Sequence, residues 1–480
     1  MGKSVFKNCL YKTILNVFNI AVPLVLGAYA IKILGKDKIG VYQYAESMYS
    51  IFYIFAAFGI YNYGLREISK VRDNKEKLKE VFSSLFILGL ITNIISLTVF
   101  VIFILLNFKG TEKELILYLY CLTLFSNVFY VEWVNEALEK YDFITIKSIV
   151  VRLIYIFLLL KLVKTPKDLI IYIALYSFQV FLNNIISFVT IKREIGFTFK
   201  GIAFTKHIKF LIASTLIASA SYLYTGLDRI LIGKFLGDGH MPSYVVPQGI
   251  INMVFSLIMS IFTVTIPRLS YIIGNKDEKI YDEMLNKIIR CMCIFMFPAV
   301  VGLYVLHSEI ILIYTSGQVV EGIPVMLIAT LYMLSLGLES IVAQQVLYVK
   351  GKEKIIVCFI FFCGILNLLF KIILINLGKF SVLSAFSTTC LANYLLFFIQ
   401  YMYARKVLKV NIRFLNIKTI KYLLISLIFI PIAMIIKRFI SENMFFSIVT
   451  IITCCLYYGI VLLLIKDEVI LAIIRKVKLT

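Results

Sequence analysis

The stretch Phe210–Leu236 reads FLIASTLIASASYLYTGLDRILIGKFL, an apolar run that carries the charged pair Asp228-Arg229 in its outer third. A helix needs about 20 apolar residues to cross the hydrocarbon core of a bilayer, so this run is long enough to span it. A segment surrounded by lipid must satisfy its own backbone hydrogen bonds, which favours a helix. The stretch therefore predicts a transmembrane helix with ionisable groups at membrane depth.

This stretch also opens a second half of the chain that repeats the order of features in the first. An offset of 202 residues places Tyr42 on Tyr244 and Arg66 on Arg268. Each half then runs as apolar span, glycine-containing turn, tyrosine, apolar span, arginine and basic loop. Doubled halves of an apolar chain are typical of transporters that work by alternating access.

The composition places most of the chain in a membrane. Of 480 residues, 61% are hydrophobic and 16% are charged, and the mean hydropathy is +0.94. These values are far from those of soluble domains. The 49 Lys and Arg exceed the 27 Asp and Glu, which gives a net charge of +22. Because the basic residues lie mostly in short loops between apolar runs, they indicate charge that fixes topology, and we expect no nucleic-acid partner.

Apolar runs of spanning length recur along the whole chain. They predict an all-α polytopic membrane protein with about 14 transmembrane helices. The fourteen runs are Ile14–Leu34, Tyr42–Leu65, Val81–Leu106, Leu115–Leu138, Phe143–Val163, Leu169–Ile191, Phe210–Leu236, Tyr244–Pro267, Ile288–Tyr314, Ile323–Val349, Ile355–Leu377, Val382–Tyr403, Ile420–Ile436 and Phe445–Ile465.

The basic residues predict the orientation of these spans. With the N-terminus inside, the inner loops and adjoining span ends hold 34 Lys and Arg, the outer ones hold 12, and three lie deep within spans. Inner loops of membrane proteins are enriched in Lys and Arg. The asymmetry therefore predicts that both termini are cytoplasmic and that the number of spans is even.

Patterns that carry enzymatic or metal chemistry are missing from the sequence. There is no G-x-x-x-x-G-K-[ST] motif for an ATPase. The three histidines, His207, His240 and His307, have no metal-ligand partner at i+3 or i+4, and the nine cysteines have no metal or disulfide spacing. No nucleophile has a local base. We expect neither an enzyme nor a metal or cofactor site.

Ionisable residues within the predicted spans are the candidate functional residues. A charge at the bilayer centre costs about 2.5–3.5 kcal/mol even on the insertion scale, so such residues normally face a protein interior or a cavity. The cations Arg152, Lys371 and Arg229 are candidates for binding an anionic substrate. The acids Glu339 and Asp228 are candidates for coupling transport to an ion. Each could instead belong to a structural ion pair between helices.

Two prolines are candidates for gating. Pro23 lies in the middle of the first predicted span, and Pro247 lies near the start of the eighth. Proline removes a backbone hydrogen bond and permits a kink, which neighbouring helices can accommodate. The two spans hold corresponding early places in their halves, so bending at both prolines could open one face of a cavity.

Three stretches together resemble a known family. The run Glu132–Arg152, EWVNEALEKYDFITIKSIVVR, resembles the signature of helices four and five in bacterial polysaccharide-repeat flippases of the Wzx type, with Trp133 and Glu139 at its tryptophan and glutamate. The stretch Gly64–Ser83 resembles the first basic loop of that family, and LDRILIGKFLGD resembles its seventh helix. These flippases form the polysaccharide branch of the multidrug/oligosaccharidyl-lipid/polysaccharide exporter superfamily.

The resemblance implies two six-helix lobes around a central cavity, with residues 1–207 in the first lobe and 208–404 in the second. Residues 405–480 would form a basic linker and two further helices. It also implies export of an undecaprenyl-diphosphate-linked oligosaccharide by alternating access across the bacterial plasma membrane. The anionic diphosphate would bind Arg152, Lys371 and Arg229, and a proton or sodium ion would drive transport.

Two alternatives stay open at this point. Val134-Asn135-Glu136 replaces the aromatic-Gln-Gly that commonly follows the tryptophan in the family, which leaves the substrate open. One alternative is a multidrug or metabolite cation antiporter of the same superfamily. The other is a membrane polymerase or acyltransferase of cell-surface glycans, which would need catalytic residues in an outer loop. The predicted outer loops are short, which disfavours that second alternative.

Overall fold

A computed structural model of the chain describes residues 5–202, 204–220, 222–263, 265–275, 277–414 and 416–471. The backbone is mostly helical over these residues, and none of them lies in a β-strand. The all-α class of polytopic membrane protein predicted from the apolar runs is confirmed.

The helices follow the order of the apolar runs, with short amphipathic helices between some of them. In chain order the α-helices are α1 (Val5–Leu34), α2 (Lys36–Ala57), α3 (Ile60–Val71), α4 (Lys75–Asn107), α5 (Glu112–Ser126), α6 (Glu132–Ala137), α7 (Tyr141–Leu162), α8 (Leu169–Ile195), α9 (Phe204–Ala220), α10 (Tyr222–Phe235), α11 (Met241–Thr263), α12 (Ile266–Gly274), α13 (Glu278–Val305), α14 (His307–Thr315), α15 (Gly322–Ser340), α16 (Glu353–Asn376), α17 (Val382–Lys406), α18 (Ile417–Leu427), α19 (Phe429–Phe439) and α20 (Asn443–Leu464). A π-helix, Ile341–Tyr348, continues directly from α15.

The described residues contain 12 helical segments that are long and apolar enough to cross a membrane. The predicted number of about 14 is therefore met only approximately. The predicted run Tyr42–Leu65 is interrupted, because α2 ends at Ala57 and α3 begins at Ile60. The predicted run Phe210–Leu236 includes residue 221, which lies outside the described residues.

The end of α2 has a local cause. Phe58 and Gly59 adopt left-handed backbone conformations, with φ of 45° and 63°, and α3 begins at the next residue. Glycine suits the second position because a Cβ there would lie 2.7 Å from the Cβ of Ser214 on α9. The side chain of Asn93 on α4 donates to the carbonyl of Ala56, at 3.1 Å, and so satisfies a backbone group near the helix end.

The second half repeats this order of elements. A long helix (α11), a short helix (α12) and a second long helix (α13) follow one another, as α2, α3 and α4 do in the first half. The long helices α4 and α13 start at Lys75 and Glu278, close to the offset found in the sequence. The doubled order of features is therefore present in the helices as well as in the residues.

The chain divides into two compact units, Met1–Met241 and Pro242–Thr480, here named unit 1 and unit 2. Helices α9 and α10 pack in unit 1 against α2, and α9 also contacts α3 and α4, although the repeat groups them with the second half. The predicted division of the chain at residues 208 and 405 stays a prediction.

A buried polar cluster attaches the C-terminal helices to α13 within unit 2. Arg290 donates from Nε to the Tyr422 hydroxyl at 2.9 Å and from Nη2 to Asp467 Oδ2 at 3.0 Å. The Tyr422 hydroxyl donates to the same carboxylate oxygen at 2.8 Å, and Lys421 forms an ion pair with it. Burial alone would raise the pKa of Asp467, but the hydrogen bonds from Lys421 and Tyr422 lower that pKa to about 2.

Candidate functional site

Tyrosines surround the carboxylate of Glu46 in the interior of unit 1. The Tyr42 hydroxyl donates to Glu46 Oε1 at 3.5 Å. The Tyr42 ring stacks on Tyr120 and meets Tyr172 edge-on, with ring centres 6.3 and 5.3 Å apart, and Tyr49 stacks on Tyr120 at 5.0 Å. Such rings offer flat apolar faces with polar edges. We name these four residues the tyrosine cluster.

Arg229 reaches Glu46 from α10. The distance from Arg229 Nη1 to Glu46 Oε2 is 3.8 Å, and the two side chains are 25% and 29% exposed. The adjacent Asp228 is fully buried. Neighbouring residues on a helix do not share a face, so the two side chains have different surroundings. The structure therefore brings the predicted cation Arg229 to Glu46, a residue that is not among the candidates chosen from the sequence.

Arg152 lies on α7, where it meets α1. Its Nη1 donates to Asn19 Oδ1 at 2.6 Å, and its guanidinium lies 5.9 Å from the ring centre of Phe18. No carboxylate in the described part of the chain forms an ion pair with Arg152. Arg152 and the Glu46–Arg229 pair all lie in unit 1.

Lys371 is almost completely enclosed in unit 2. Its side chain on α16 is 1% exposed, and Nζ donates to the Thr389 hydroxyl on α17 at 2.8 Å. Asn367, one turn earlier on α16, donates to the same hydroxyl at 3.2 Å. The ammonium is thus held in a small polar group between α16 and α17.

Glu339 lies on α15 and also faces α17. Its Oε1 accepts a hydrogen bond from Gln400 Nε2 at 3.0 Å. Thr389, which contacts Lys371, and Gln400, which contacts Glu339, are three turns apart on α17, or about 16 Å along its axis. The structure therefore does not bring the two predicted residues of unit 2 together.

The two predicted gating prolines lie inside continuous helices. α1 contains Pro23 and runs without interruption from Val5 to Leu34, and α11 contains Pro247 and runs from Met241 to Thr263. Two interruptions of helical geometry among the described residues, the end of α2 and the π-helix, contain no proline. The gating role of the prolines stays a prediction.

Sequence reasoning missed the buried pair of Glu132 on α6 and Lys147 on α7. Lys147 Nζ lies 3.0 Å from Glu132 Oε2, and the two side chains are 3% and 12% exposed. The same ammonium donates to the Asn183 carbonyl at 3.2 Å and to the Ser187 hydroxyl at 2.5 Å. Lys147 lies near the end of its span, so it was grouped with the topology charge, and no helical spacing relates it to Glu132.

Both units contain cavities. A cavity of about 370 Å³ in unit 1 is lined by aromatic and amide side chains, including Tyr53, Asn127 and Trp133. We name it the aromatic cavity. A groove of about 500 Å³ in unit 2 runs between α13 and α20 and is lined mostly by apolar side chains. We name it the apolar groove. No group of His, Cys, Asp and Glu side chains among the described residues could hold a metal ion.

Comparison with solved structures identifies the fold. The lipid II flippase MurJ, in an inward closed conformation, matches with a TM-score of 0.74 at 17% identity, and the match covers 96% of this chain and all of that one. An inward-facing multidrug resistance MATE family transporter of the MOP superfamily matches with a TM-score of 0.62 at 15% identity, over 85% of this chain and 96% of that one.

Comparison with sequences identifies the family. A putative O-antigen transporter of Escherichia coli (strain K12) is 22% identical over 403 residues, which is 82% of this chain and 96% of the relative. One of Shigella dysenteriae is 24% identical over 244 residues, or 48% and 59% of the two chains. A MatE model matches residues 214–373. The model of the polysaccharide biosynthesis protein family matches residues 5–273, more than half of the chain. The predicted resemblance is confirmed, and the chain belongs to the polysaccharide biosynthesis protein family.

Proposed function

We propose that this protein is a flippase that moves an undecaprenyl-diphosphate-linked oligosaccharide from the inner to the outer leaflet of the bacterial plasma membrane. The names of its relatives support a substrate of this class. The observation that carries the proposal is the environment of Arg152, a guanidinium at membrane depth whose described polar partner is the neutral amide of Asn19.

The cost of burying a charge explains why that environment points to an anionic ligand. A structural arginine in a span is expected to have a carboxylate partner, since an uncompensated buried charge is strongly destabilising. Arg152 instead keeps its charge available beside neutral side chains. A diphosphate could accept paired hydrogen bonds from this planar guanidinium. Arg229, loosely paired with Glu46, is the second diphosphate ligand in this proposal, and Lys371 is the third.

The apolar groove gives the prenyl chain a place in the same proposal. Its lining includes Pro298 and Gly302 on α13 and Cys455 and Gly459 on α20, small or cyclic residues that leave room for a chain between the helices. A prenyl chain is wholly apolar, so it has no polar group of its own that this groove would leave unpaired. The diphosphate and sugars, in contrast, need polar partners such as those in the interior of unit 1.

Ion coupling and gating complete the proposal. Glu339 has one described hydrogen-bond donor, the amide of Gln400, so its carboxylate could accept a proton or sodium ion in one conformation and release it in another. Asp228 is the second candidate for this role. Alternating access would follow from movement of the two units as bodies, with both termini cytoplasmic and with bending at Pro23 and Pro247.

Complementation of flippase-deficient bacterial strains that make different glycans tests this function. We expect the wild-type chain to restore surface glycan in at least one strain, and Arg152→Ala to fail at an unchanged protein level in the membrane. Arg193→Ala, at the exposed C-terminal end of α8, is the matched control and should complement normally. The MatE match over residues 214–373 favours a cation antiporter as the second candidate. Proton-coupled uptake of organic cations by the purified protein in liposomes, with no glycan restored in any strain, would overturn the flippase proposal.

A further inference from the structure

The lining of the aromatic cavity of unit 1 includes none of the charged residues discussed so far. Its lining combines tyrosine, tryptophan and asparagine side chains with small apolar ones, and none of the described lining residues is charged. A volume of about 370 Å³ lies within the range of ~300–1,000 Å³ that is common for small-molecule sites.

Polar groups with no partner in the protein face this cavity. Among the described residues, the hydroxyls of Tyr53 and Tyr130 and the amide of Asn62 make no hydrogen bond, and none of these atoms is sealed from the solvent-accessible surface. The Oδ1 atom of Asn127 likewise accepts no described hydrogen bond, while its amide nitrogen donates to Asn93 Oδ1 at 3.1 Å. The cavity therefore offers donors and acceptors on several sides.

The aromatic wall is held in place by its surroundings. Tyr61 stacks on Tyr130, with ring centres 6.3 Å apart and an interplanar angle of 29°, and its hydroxyl donates to Glu136 Oε1 at 2.8 Å. The Trp133 indole nitrogen donates to the Tyr130 carbonyl at 3.2 Å. Gly64 lets the Trp133 ring lie close to α3, since a Cβ there would be 2.6 Å from a ring carbon. A rigid wall of this kind lowers the entropic cost of binding.

We propose that the aromatic cavity is a binding subsite for an uncharged sugar ring of the glycan. A pyranose has apolar faces that fit flat against tyrosine rings and hydroxyls at its rim that can pair with Tyr53, Asn62 and Asn127. The uncharged lining disfavours a phosphate or a carboxylated sugar, because a buried charge would find no counter-ion. An acyl or prenyl chain would leave the same polar groups without partners. The inference rests on the proposed function, since the sugar is that of the transported lipid.

The sequence provides a direct probe of occupancy. The chain contains a single tryptophan, and that residue, Trp133, lines the cavity. Its fluorescence can therefore be followed in the full-length protein in lipid vesicles that contain no other protein and no sugar detergent. The probes are methyl glycosides of a neutral hexose and of an N-acetylhexosamine, with decanol as the apolar comparison. Calorimetry on the same samples detects binding that leaves the emission unchanged.

We expect saturable binding of at least one glycoside, with an affinity about tenfold weaker in the variants Tyr53→Phe and Asn62→Ala, since each removes hydrogen-bonding groups while keeping the packing nearly intact. Tyr118→Phe is the matched control, because Tyr118 lies on α5 outside the cavity lining, and it should bind like wild type. Size-exclusion profiles and melting temperatures confirm that each variant is folded.

Three results would overturn the subsite: no binding of either glycoside, equal binding by wild type and both cavity variants, or binding of decanol alone. Failure of the proposed function is distinguishable from these results, because complementation is measured in cells and glycoside binding on purified protein. A chain that complements but binds no glycoside loses only the subsite. A chain that binds glycoside through Tyr53 and Asn62 but complements no strain keeps the subsite and loses the flippase proposal.

Discussion

The two units hold their membrane-depth charges in different ways. In unit 1, Arg152 and Arg229 are partly exposed, and their contacts are a neutral amide and a carboxylate at 3.8 Å. In unit 2, Lys371 is 1% exposed and hydrogen-bonded to a threonine. The linings of the two named cavities differ as well. The aromatic cavity of unit 1 has aromatic and polar walls, and the apolar groove of unit 2 has mostly apolar walls.

This difference suggests that the two units bind different parts of the substrate in the transport cycle that we propose. Partly exposed cations beside tyrosines suit a polar headgroup that must bind and leave. An enclosed ammonium suits a group that holds helices together until a conformational change exposes it to the diphosphate. An apolar groove suits the chain of the lipid.

We expect the largest loss of stability for variants of the buried pair in unit 1, Glu132 and Lys147. The charges of this pair are enclosed, whereas the cations Arg152 and Arg229 of the same unit are partly exposed. Removing one partner leaves an uncompensated buried charge, so Lys147→Ala and Glu132→Ala should each destabilise the fold by about 3–5 kcal/mol. The measurement is thermal unfolding of the purified protein together with its amount in the membrane.

A surface pair gives the control for this experiment. Lys140→Ala breaks the ion pair with Glu194, whose side chain is 48% exposed, and should cost less than about 1 kcal/mol. The double variant Lys147→Met, Glu132→Gln should recover most of the lost stability, because it removes both charges and keeps the volume. Single variants as stable as wild type would show that the pair is not a structural anchor.

The second prediction concerns transport by variants of Arg152, a cation of unit 1. Arg152→Ala should reduce transport by at least about tenfold, since a hydrogen bond to a charged group contributes about 1.5–3 kcal/mol, while the melting temperature stays near that of wild type. Arg152→Lys should recover only part of the activity, because a point charge replaces a planar fork. Transport of labelled lipid-linked glycan in proteoliposomes is the measurement.

Lys371 gives the opposite case in the same assay. Lys371→Ala should also reduce transport, and it should lower the melting temperature because it empties a fully buried site. Lys371→Met keeps the volume and tests the charge alone. If Lys371→Met transports normally, the cation of unit 2 contributes packing rather than charge to the cycle. If Arg152→Ala instead loses folded protein, the cation of unit 1 is structural and the comparison between the units fails.

The third effect concerns pH and the attachment of the C-terminal helices to unit 2. The pKa of Asp467 is lowered to about 2 in the folded protein, below the value of about 3.9 in an unfolded chain. Its contribution to the free energy of unfolding, about 2 kcal/mol, is therefore complete above about pH 4 and is lost as the pH falls from about 4 to 2.

Melting curves at pH 7 and pH 3 measure this contribution. The variant Asp467→Asn should lose stability at pH 7 and show a smaller difference from wild type at pH 3. Glu468→Gln is the control, because Glu468 also contacts Arg290 but is 71% exposed, and it should change stability little at either pH. An equal response of the two variants would show that burial does not set the strength of the Arg290 cluster.

The helices could be predicted from the sequence because hydropathy acts over about 20 consecutive residues. Their interruptions could not. The end of α2 depends on the left-handed backbone at Phe58 and Gly59, and nothing in an apolar run signals that geometry. The repeat predicted the order of elements in both halves, but it did not show that α9 and α10 pack against α2 in unit 1.

The candidate site could be predicted in part, for a related reason. A charge at membrane depth has a high free-energy cost, so Arg152, Arg229 and Lys371 could be chosen as candidates from the sequence. That cost does not indicate which partner each side chain contacts. The contact between Arg229 and Glu46 joins helices far apart in the chain, whereas the pair of Glu132 and Lys147 joins two consecutive helices and follows no helical spacing. Such partners become visible only when the helices are packed.

The smallest expected effect tests the apolar groove of unit 2. Thr450 lies on α20 and lines that groove, and its buried hydroxyl has no hydrogen-bond partner among the described residues. Valine has nearly the same shape and no polar group to desolvate. Thr450→Val should therefore raise the free energy of unfolding by up to about 1 kcal/mol. Ser447→Ala, one turn earlier, is the control and should not stabilise, because the Ser447 hydroxyl donates to the Asn443 carbonyl at 2.8 Å.

The transport rate of the same variant shows what the groove holds. A prenyl chain cannot hydrogen-bond to Thr450, so Thr450→Val should transport at least as fast as wild type if the groove takes the chain. A headgroup or sugar in the groove would use the hydroxyl, and the variant would then lose activity while gaining stability. The two occupants therefore predict different transport rates for Thr450→Val, in which a methyl group replaces the hydroxyl. The transport rate of an equally folded variant then decides whether the apolar chain of the substrate binds in unit 2 while its polar part binds in unit 1.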